Sequence, residues 1–337
     1  MSGIIFSESS GVNDSIFGKS QAPIKFAIEK KAEAFEQESI VKHIFNLEKS
    51  EHYGEKITSL TAMSGFKPTP ENGNYPKDGM QEGFSKFLEH VEWKDSFSIS
   101  KPMIQDSKIL DLRKRPESFI TGFYRTREMY GAALLGAAIS GKKSTIFNGK
   151  SFDTTSADNL ELFSKAHPSA ISDVKTKQSN QFADAFSVDA LGAAESAMQD
   201  FRGDNNEVLG VTPDTIVIPN DYQLKKEVFA AIGADKDPNS ANNGFNYLFG
   251  RWHIIVWQYL NQFITSNTKP WMLMSSDYNK EAIGAIWYDR TELDVYSYID
   301  NDNGANTWNG DARFVAGFND WRAFAIGGVS GGTNLIA

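Results

Sequence analysis

The stretch from Gly54 to Gln105 constrains the fold more than any other part of this sequence. Its centre is rich in proline and glycine, and strand-like sequence stands near both ends, at Lys56–Ala62 and Ser96–Met103. A structureless loop of this length is unusual inside a compact domain, and such segments usually project or carry a function. We therefore predict a long two-stranded excursion. Because an isolated ribbon is only marginally stable in water, it should lie on another surface.

Helical patterns flank this excursion on both sides. Before it, apolar residues recur at helical spacing from Ile24 to about Lys49, and residues 1–22 are polar and without periodicity, which indicates a flexible arm. After it, we predict a helix over Pro116–Ser140, because proline suits a first helical position and Gly141 suits the residue past the end. The second half of this helix is mostly Gly and Ala, which permits close approach of another backbone.

From Ser187 onward the pattern becomes that of an α/β unit. Ser187 is the predicted N-cap of one helix, and Asn220 or Asp221 caps a second helix that follows a buried strand ending at Pro219. Further strands are predicted at "RWHIIVWQYL", "PWMLMSS", "AIGAIWYDR" and "ELDVYSYID". The acidic stretch Asp300–Trp308 fails the spacing of a calcium loop and predicts a hairpin loop instead.

An Asp-Trp-Arg triplet, Asp320, Trp321 and Arg322, joins two strand-like runs near the end of the chain. Asn319 and Asp320 let the chain turn, and we expect Trp321 and Arg322 to begin the last strand. An acid beside an arginine can serve catalysis. We predict instead a structural corner, in which Asp320 and Arg322 are hydrogen-bonded beside a packed Trp321.

Composition excludes several classes of protein. The chain has 337 residues, enough for one large domain or two medium ones, and no cysteine, so disulfides and thiolate metal sites are ruled out. The net charge is −9 and basic residues are scattered, so sequence-specific binding of nucleic acid is not expected. No secretory signal follows Met1, and the apolar run Gly131–Ser140 is far shorter than the roughly 20 residues of a membrane span. We expect production in the cytoplasm.

Two apparent catalytic motifs fail on their context. Gly136-x4-Gly141-Lys142 begins like a phosphate-binding loop, but Lys143 stands where Ser or Thr must bind magnesium, so a helix C-cap is predicted. Gly328–Gly332 matches the nucleophile pattern G-x-S-x-G, but no helix or histidine partner follows it, so a flexible tail is predicted.

The remaining chemistry-bearing residues do not form a site in the sequence. The five histidines show no metal-binding spacing, and we predict no catalytic, cofactor-binding or metal-binding residue. Trp257, Trp271 and Trp287 lie in strand-like runs and are expected to fill a core, although a carbohydrate cleft is an alternative. Surfaces, rather than a pocket, should therefore carry the function.

The order of elements resembles the major capsid protein of tailed bacteriophages, the Hong Kong 97-type fold, and within it the Mu-like head-subunit branch. Four stretches carry the resemblance: Phe152–Pro168, Thr212–Ile232, Pro270–Met274 and Ala312–Gly328. In the first, Asp158, Leu162-Phe163 and His167-Pro168 match, while Asn159 stands where glycine is usual. The last contains the Asp-Trp-Arg triplet.

The resemblance implies an α+β fold with an arm, an extended loop, a peripheral domain built on a long spine helix, and an axial α/β domain. The expected boundaries are 1–52 for the arm and its helix, 53–105 for the extended loop, 106–185 and 290–319 for the peripheral domain, 186–289 and 320–332 for the axial domain, and 333–337 for a tail.

The resemblance also implies the function. Subunits of this kind form the pentamers and hexamers of an icosahedral shell, which encloses double-stranded DNA without sequence-specific binding and works with scaffold, portal and decoration proteins. The protein would be part of the virion and assemble in the bacterial cytoplasm, without enzymatic activity or cofactor. Candidate contacts between subunits lie on the extended loop at Lys56, Lys67, Tyr75 and Lys77. An encapsulin-like compartment shell is the nearer alternative, and a carbohydrate-active enzyme the more distant one.

Overall fold

The computed structural model describes residues 5–6, 29–60, 68–71, 73–75, 82–100, 102, 109–171, 174–233, 246, 248–265 and 268–336. Its helices are α1 (29–38), α2 (Val41–Ile44), α3 (Ile109–Ile139), α4 (Val188–Gln199), α5 (Tyr222–Ile232) and α6 (Ser276–Glu281). Its strands are β1 (Ile5–Phe6), β2 (Asn46–Lys49), β3 (Gly54–Leu60), β4 (Glu82–Glu89), β5 (Val91–Ile99), β6 (Ser144–Phe147), β7 (Lys150–Asp153), β8 (Thr215–Pro219), β9 (His253–Trp257), β10 (Trp271–Met274), β11 (Ala285–Ile299), β12 (Asn306–Phe318) and β13 (Phe324–Gly327). This mixture of helices and strands is an α+β fold.

The larger sheet is built on the long antiparallel pair β11–β12. Its order is β1-β11-β12-β5, and β2 also pairs with β11, in parallel like β1. Two predicted strands merge into β11, because irregularities between Asp289 and Thr291 and between Thr291 and Asp294 keep the chain in register with β12. The predicted hairpin loop is confirmed at 300–305, where Gly304 takes a φ of +66°.

Helix α3 packs along this sheet and extends beyond its predicted limits. The predicted start at Pro116 is wrong, since α3 begins at Ile109 and Pro116 lies inside it. Proline has a φ that suits a helix and forfeits one backbone hydrogen bond, and burial of its ring offsets part of that loss. The predicted C-cap is confirmed: Gly141 has a φ of +66° and its N–H donates to the carbonyl of Ala138 at 3.0 Å.

The segment before the excursion ends as a strand rather than a helix. Residues 29–38 and α2 are helical, but β2 pairs with β11, so the predicted helix to Lys49 is wrong in its last part. The Glu128 carboxylate on α3 accepts bonds from the Ser39 hydroxyl at 2.5 Å and the Ile40 N–H at 3.1 Å, which breaks the helix at this point. Phe45 then inserts between the rings of Trp287 and Phe318 and directs the chain onto the sheet.

The excursion contains a two-stranded ribbon, β3–β4, but its second strand is not the predicted one. The stretch predicted at Ser96–Met103 falls partly in β5, which pairs with β12 instead. The aromatic residues of β5 decide this, because Trp93 stacks on Phe314 at 4.9 Å and so belongs to the sheet. As expected of a marginal ribbon, β3–β4 packs on another surface, the larger sheet of the same chain. The contact is a small hydrophobic cluster of Ile57, Leu88, Ile286, Tyr288 and Val315.

The smaller sheet has the order β13-β10-β8-β9, with β8 and β9 parallel. Both predicted helix caps are confirmed. The Ser187 hydroxyl accepts from the Ala190 N–H at 3.0 Å, and the Asp221 carboxylate accepts from the Leu224 N–H at 2.8 Å. Strand β8 is buried throughout, as its continuous apolar run indicates.

The predicted flexible tail from Gly328 is wrong for the residues up to Leu335. The Thr333 N–H donates to the carbonyl of Gln181 at 2.9 Å, and the Leu335 N–H donates to Asp184 at 2.7 Å. Val329 is buried, and no helix follows Ser330 in the part of the chain that the structure describes, so the nucleophile motif has no support. Within the same residues, no helix is both long enough and apolar enough to cross a membrane.

A part-buried ion pair fixes α3 against the larger sheet. The two guanidinium nitrogens Nη1 and Nη2 of Arg127 donate to the two carboxylate oxygens of Asp289, at 2.6 and 2.9 Å. The same guanidinium lies 4.7 Å from the ring centre of Trp287 and 5.0 Å from that of Phe314. The planar cation therefore meets both its carboxylate and two aromatic faces, which a lysine could not do equally well.

Replacement of Arg127 tests this lock. We expect Arg127→Met to lower the free energy of unfolding by about 2 kcal/mol, because the part-buried Asp289 carboxylate loses its bidentate partner and keeps only the bond from the Trp287 indole N–H at 3.1 Å. Urea denaturation of the unassembled subunit measures the change. The control is Arg125→Met, since Arg125 is exposed on the same helix. Equal stability of the two variants would contradict the lock.

Candidate functional site at the joint between the sheets

The Asp-Trp-Arg triplet lies where the chain passes from the larger sheet to the smaller one. Residues Trp321–Ala323 form one turn of 3-10 helix, and β13 begins only at Phe324, so the expectation that Trp321 and Arg322 start the strand is wrong. The reason is local. The Asp320 carboxylate accepts a bond from the Arg322 N–H at 2.9 Å, which caps the turn.

The guanidinium of Arg322 is buried and bonded on several sides. Its Nη2 donates to Asp204 at 3.0 Å, its Nε donates to the carbonyl of Arg202 at 3.0 Å, and its Nη1 lies 3.4 Å from Asp320. Burial lowers the pKa of Arg322, but the carboxylates of Asp320 and Asp204 raise it by more, so the side chain stays charged. The Tyr278 hydroxyl on α6 donates to Asp320 at 3.2 Å.

Trp321 connects this turn to the stretch that follows β7. Its indole stacks on the imidazole of His167 with ring centres 4.2 Å apart, and Phe201 meets it edge-on at 5.2 Å. The Nδ1 atom of His167 lies 2.6 Å from the carboxylate of Asp158. Burial raises the pKa of Asp158, but hydrogen bonds and charge from His167 outweigh it, so the net pKa is lowered.

These side chains form one group, which we call the joint cluster. Its members are Asp158, His167, Asp204, Tyr278, Asp320, Trp321 and Arg322. They come from four separate stretches of the chain, so the cluster fixes the two sheets relative to each other. A cavity of about 20 Å³ beside it has room for one water molecule but not for a substrate.

A larger cavity of about 490 Å³ lies between α1, α2, α3 and β9, and two of the charged groups that line it, Arg127 and Glu128, have structural partners. Glu128 caps the break between α1 and α2, and Arg127 pairs with Asp289. Burial raises the pKa of Glu128, while its bonds to Ser39 and to backbone N–H groups oppose that rise. This arrangement holds the first helices in place and does not assemble an acid and a base around an open site.

The structure also locates the other candidate residues. Lys56 is exposed on β3, and Tyr75 is 96% exposed, while Lys67 and Lys77 lie outside the described residues. Sequence reasoning missed Phe87, which stands opposite Lys56 on β4 and is 58% exposed. The alternation of residues along β4 indicates that the strand has two different faces. The sequence does not show which of these faces packs on the larger sheet.

Two further kinds of site are a cluster of metal ligands and an aromatic cleft. Among the residues that the structure describes, no group of three or more His, Cys, Asp or Glu side chains could hold a metal ion. Trp257, Trp271 and Trp287 are at most 1% exposed, which confirms that they fill the core. These three tryptophans therefore offer no surface for a carbohydrate.

Comparisons with known proteins point to a structural protein. The sequence profile described as phage capsid protein matches residues 92–327, well over half of the chain. No match was found among curated protein sequences.

Solved structures share the fold at low sequence identity. A subunit of the mature capsid of bacteriophage PhiM1 has a TM-score of 0.51 at 9% identity, with 87% of each chain covered. A protein of Mycobacterium phage Patience has a TM-score of 0.50 at 11% identity, covering 100% of this chain and 96% of its own. A phage-related protein from Bordetella bronchiseptica has a TM-score of 0.51 at 13% identity, covering 90% and 95%.

The profile match establishes the family, and the structural matches establish the fold. A structural role also agrees with the joint cluster, whose buried polar side chains connect the two sheets. The chain therefore belongs to the phage capsid protein family, has the Hong Kong 97-type fold, and is a major capsid protein that forms the capsid shell.

Proposed function

We propose that this capsid protein is the major head subunit of a tailed phage or prophage of the Mu-like branch. Its subunits assemble through pentamers and hexamers into an icosahedral shell around double-stranded DNA, in the cytoplasm of the host bacterium. The role is structural, without catalysis, and scaffold, portal and decoration proteins complete the particle. The observation that carries the proposal is the outward face of the β3–β4 ribbon.

That face has an inverted pattern of burial. On β4, Lys86 points inward, where its amine donates to the carbonyl of Thr155 and lies 3.0 Å from the Asp153 carboxylate. Burial lowers the pKa of Lys86, and Asp153 opposes that shift. The neighbouring Phe87 points outward and is 58% exposed. Burying a lysine while exposing a phenylalanine is unfavourable for a lone subunit, so the outer face is suited to being covered.

A second copy of the chain is the partner that a shell supplies. Closed symmetry repeats the same contact around the particle, so one exposed aromatic residue per subunit is covered at every copy. We assign Phe87, its cross-strand partner Lys56 and the exposed Tyr75 to this contact. Lys67 and Lys77 remain in the proposal as residues of the same excursion.

The proposed division of the subunit assigns most of β11 and all of β12 to one domain and the whole smaller sheet to the other. The peripheral domain comprises 106–185 and 290–319, and the axial domain comprises 186–289 and 320–332. The bulge of β11 at Asp289 and Thr291 coincides with one border, and the joint cluster lies at the other. Strand β5 pairs with β12, so we end the extended loop, 53–105 by sequence, before Val91. The arm 1–52 and the short tail 333–337 complete the division.

Assignment to the Mu-like branch rests on residues that meet in space. Asp158 and His167 from one matching stretch and the Asp-Trp-Arg triplet from another belong to the same joint cluster. Asn159 has a φ of +62°, a conformation that glycine adopts freely and asparagine tolerates better than most residues. Asparagine can therefore stand at this position in place of the usual glycine.

The charge of the chain suits a container for DNA. A net charge of −9 gives little attraction to phosphates, so packaged DNA would stay mobile inside the shell.

Assembly of the purified or co-expressed full chain tests the proposal. We expect fast-sedimenting material that negative-stain microscopy resolves into icosahedral particles, tubes or capsomers. A monodisperse monomer under all assembly conditions would count against it. Particles that enclose an enzyme instead of DNA, with a cargo gene nearby, would point to an encapsulin-like compartment.

The outward face is tested by Phe87→Glu. We expect loss of at least about 90% of assembled particles with little change in the stability of the subunit, because an uncompensated charge at a desolvated contact costs several kcal/mol at every copy. Sedimentation measures assembly, and thermal unfolding measures stability. The matched control is Ser196→Glu, which adds the same charge at an exposed site on α4 rather than on the ribbon. Equal assembly of both variants would remove Phe87 from the contact.

The joint cluster is tested by Trp321→Ala. Removal of a buried tryptophan should cost about 3–5 kcal/mol and abolish soluble, assembly-competent protein. Trp321→Phe keeps an aromatic face against His167 and should retain part of the stability. Soluble yield and particle formation are the readouts. Normal particles from Trp321→Ala would refute the structural role of the corner.

A further inference from the structure

Two histidines far apart in sequence come together at the surface. His43 lies on α2 and His253 begins β9, and their ring centres are 5.8 Å apart with the ring planes tilted by 49°. Both side chains are exposed.

Both backbones are held in place. His43 is flanked by Val41 and Ile44, which are 2% and 0% exposed, so α2 is anchored in the core. The N–H of His253 donates to the carbonyl of Asp214 at 2.8 Å, and His253 pairs with Thr215 across β8 and β9. The two imidazoles therefore project from fixed elements, which limits the entropy lost when they share a ligand.

The nearest cation is directed elsewhere. The amine of Lys42 donates to the carbonyls of Glu36 and Gln37, at 2.8 Å each, and so stabilises the end of α1. Its charge weakens the binding of another cation nearby, but its amine is held by these two carbonyls.

We propose that His43 and His253 form a two-imidazole site for a divalent transition-metal ion, with Zn²⁺ as the expected occupant and water completing its coordination. Two imidazoles that each bind one ion at about 2.1 Å place their ring centres roughly 5–6 Å apart. The observed separation of 5.8 Å fits this range. Imidazole suits Zn²⁺, Ni²⁺ and Cu²⁺, whereas Mg²⁺ and Ca²⁺ prefer oxygen ligands.

The consequence is a link between two parts of the subunit. Helix α2 leads from the first helix towards the larger sheet, and β9 is an edge strand of the smaller one. An ion shared by His43 and His253 ties them together and stabilises the folded chain, because the unfolded chain does not hold the two rings together. This inference is independent of the assembly proposed above.

Calorimetric titration of the untagged full chain with ZnCl₂ at pH 7.5 tests the site. We expect one Zn²⁺ ion per chain, a rise in melting temperature, and binding roughly tenfold weaker or more in His43→Gln and in His253→Gln. Both residues are exposed, so circular dichroism without metal should show both variants folded. His52→Gln is the control, since His52 is exposed elsewhere.

A second readout identifies the ligands. With Cu²⁺ as the probe, electron paramagnetic resonance should show coupling to two imidazole nitrogens in the natural chain and in His52→Gln, and to fewer in the other variants. MgCl₂ should not bind to the site. The proposal is overturned if the natural chain does not bind Zn²⁺, or if His43→Gln and His253→Gln bind it as tightly as the natural chain does.

Discussion

The buried charge of Arg322 is the constraint on which the arrangement of the two sheets depends. A guanidinium without water must have carboxylates and carbonyls around it, and Asp204, Asp320 and the carbonyl of Arg202 supply them. Loss of one partner would leave another charge buried and unpaired, at a cost of several kcal/mol. The segments that carry these groups are thus fixed relative to the turn at the end of β12. Stacking of Trp321 on His167 adds a further segment to the same point.

A shell subunit gains from such a joint. Closed symmetric assemblies repeat one set of contacts at many positions, so a subunit with a loose angle between its parts would weaken every contact at once. The pair of Arg127 and Asp289 acts likewise within the larger sheet, where it holds the long helix α3 to the β11–β12 pair.

Local signals in the sequence predicted the elements whose ends are chemically marked. Ser187 and Asp221 begin helices at the predicted places, and Gly141 ends one. Side-chain caps and a left-handed glycine can be predicted because they depend only on residues close in sequence. The tertiary partners were not visible in the same way. Pro116 suggested a helix start, yet α3 begins before it, and Asn46–Lys49 continued a helical period, yet it pairs with β11.

The same distinction between local signals and tertiary partners applies to the candidate surfaces. The Asp-Trp-Arg triplet was recognisable as a corner by its residue types, but its partners Asp204 and Tyr278 come from distant parts of the chain and carried no local signal. On β4, the exposure of Phe87 and the burial of Lys86 depend on which face of the ribbon packs against the sheet. Hydrophobicity alone would predict the reverse, with Phe87 buried and Lys86 exposed.

A cryo-EM reconstruction of assembled particles tests the central claim most directly, that a rigid two-part subunit presents the outer face of its ribbon to a neighbour. The account predicts subunits around fivefold and sixfold axes, an intact joint cluster in every copy, and Phe87 buried against an adjacent subunit. Particles in which Phe87 faces solvent, or in which the angle between the two sheets differs widely among copies with the cluster opened, would contradict it.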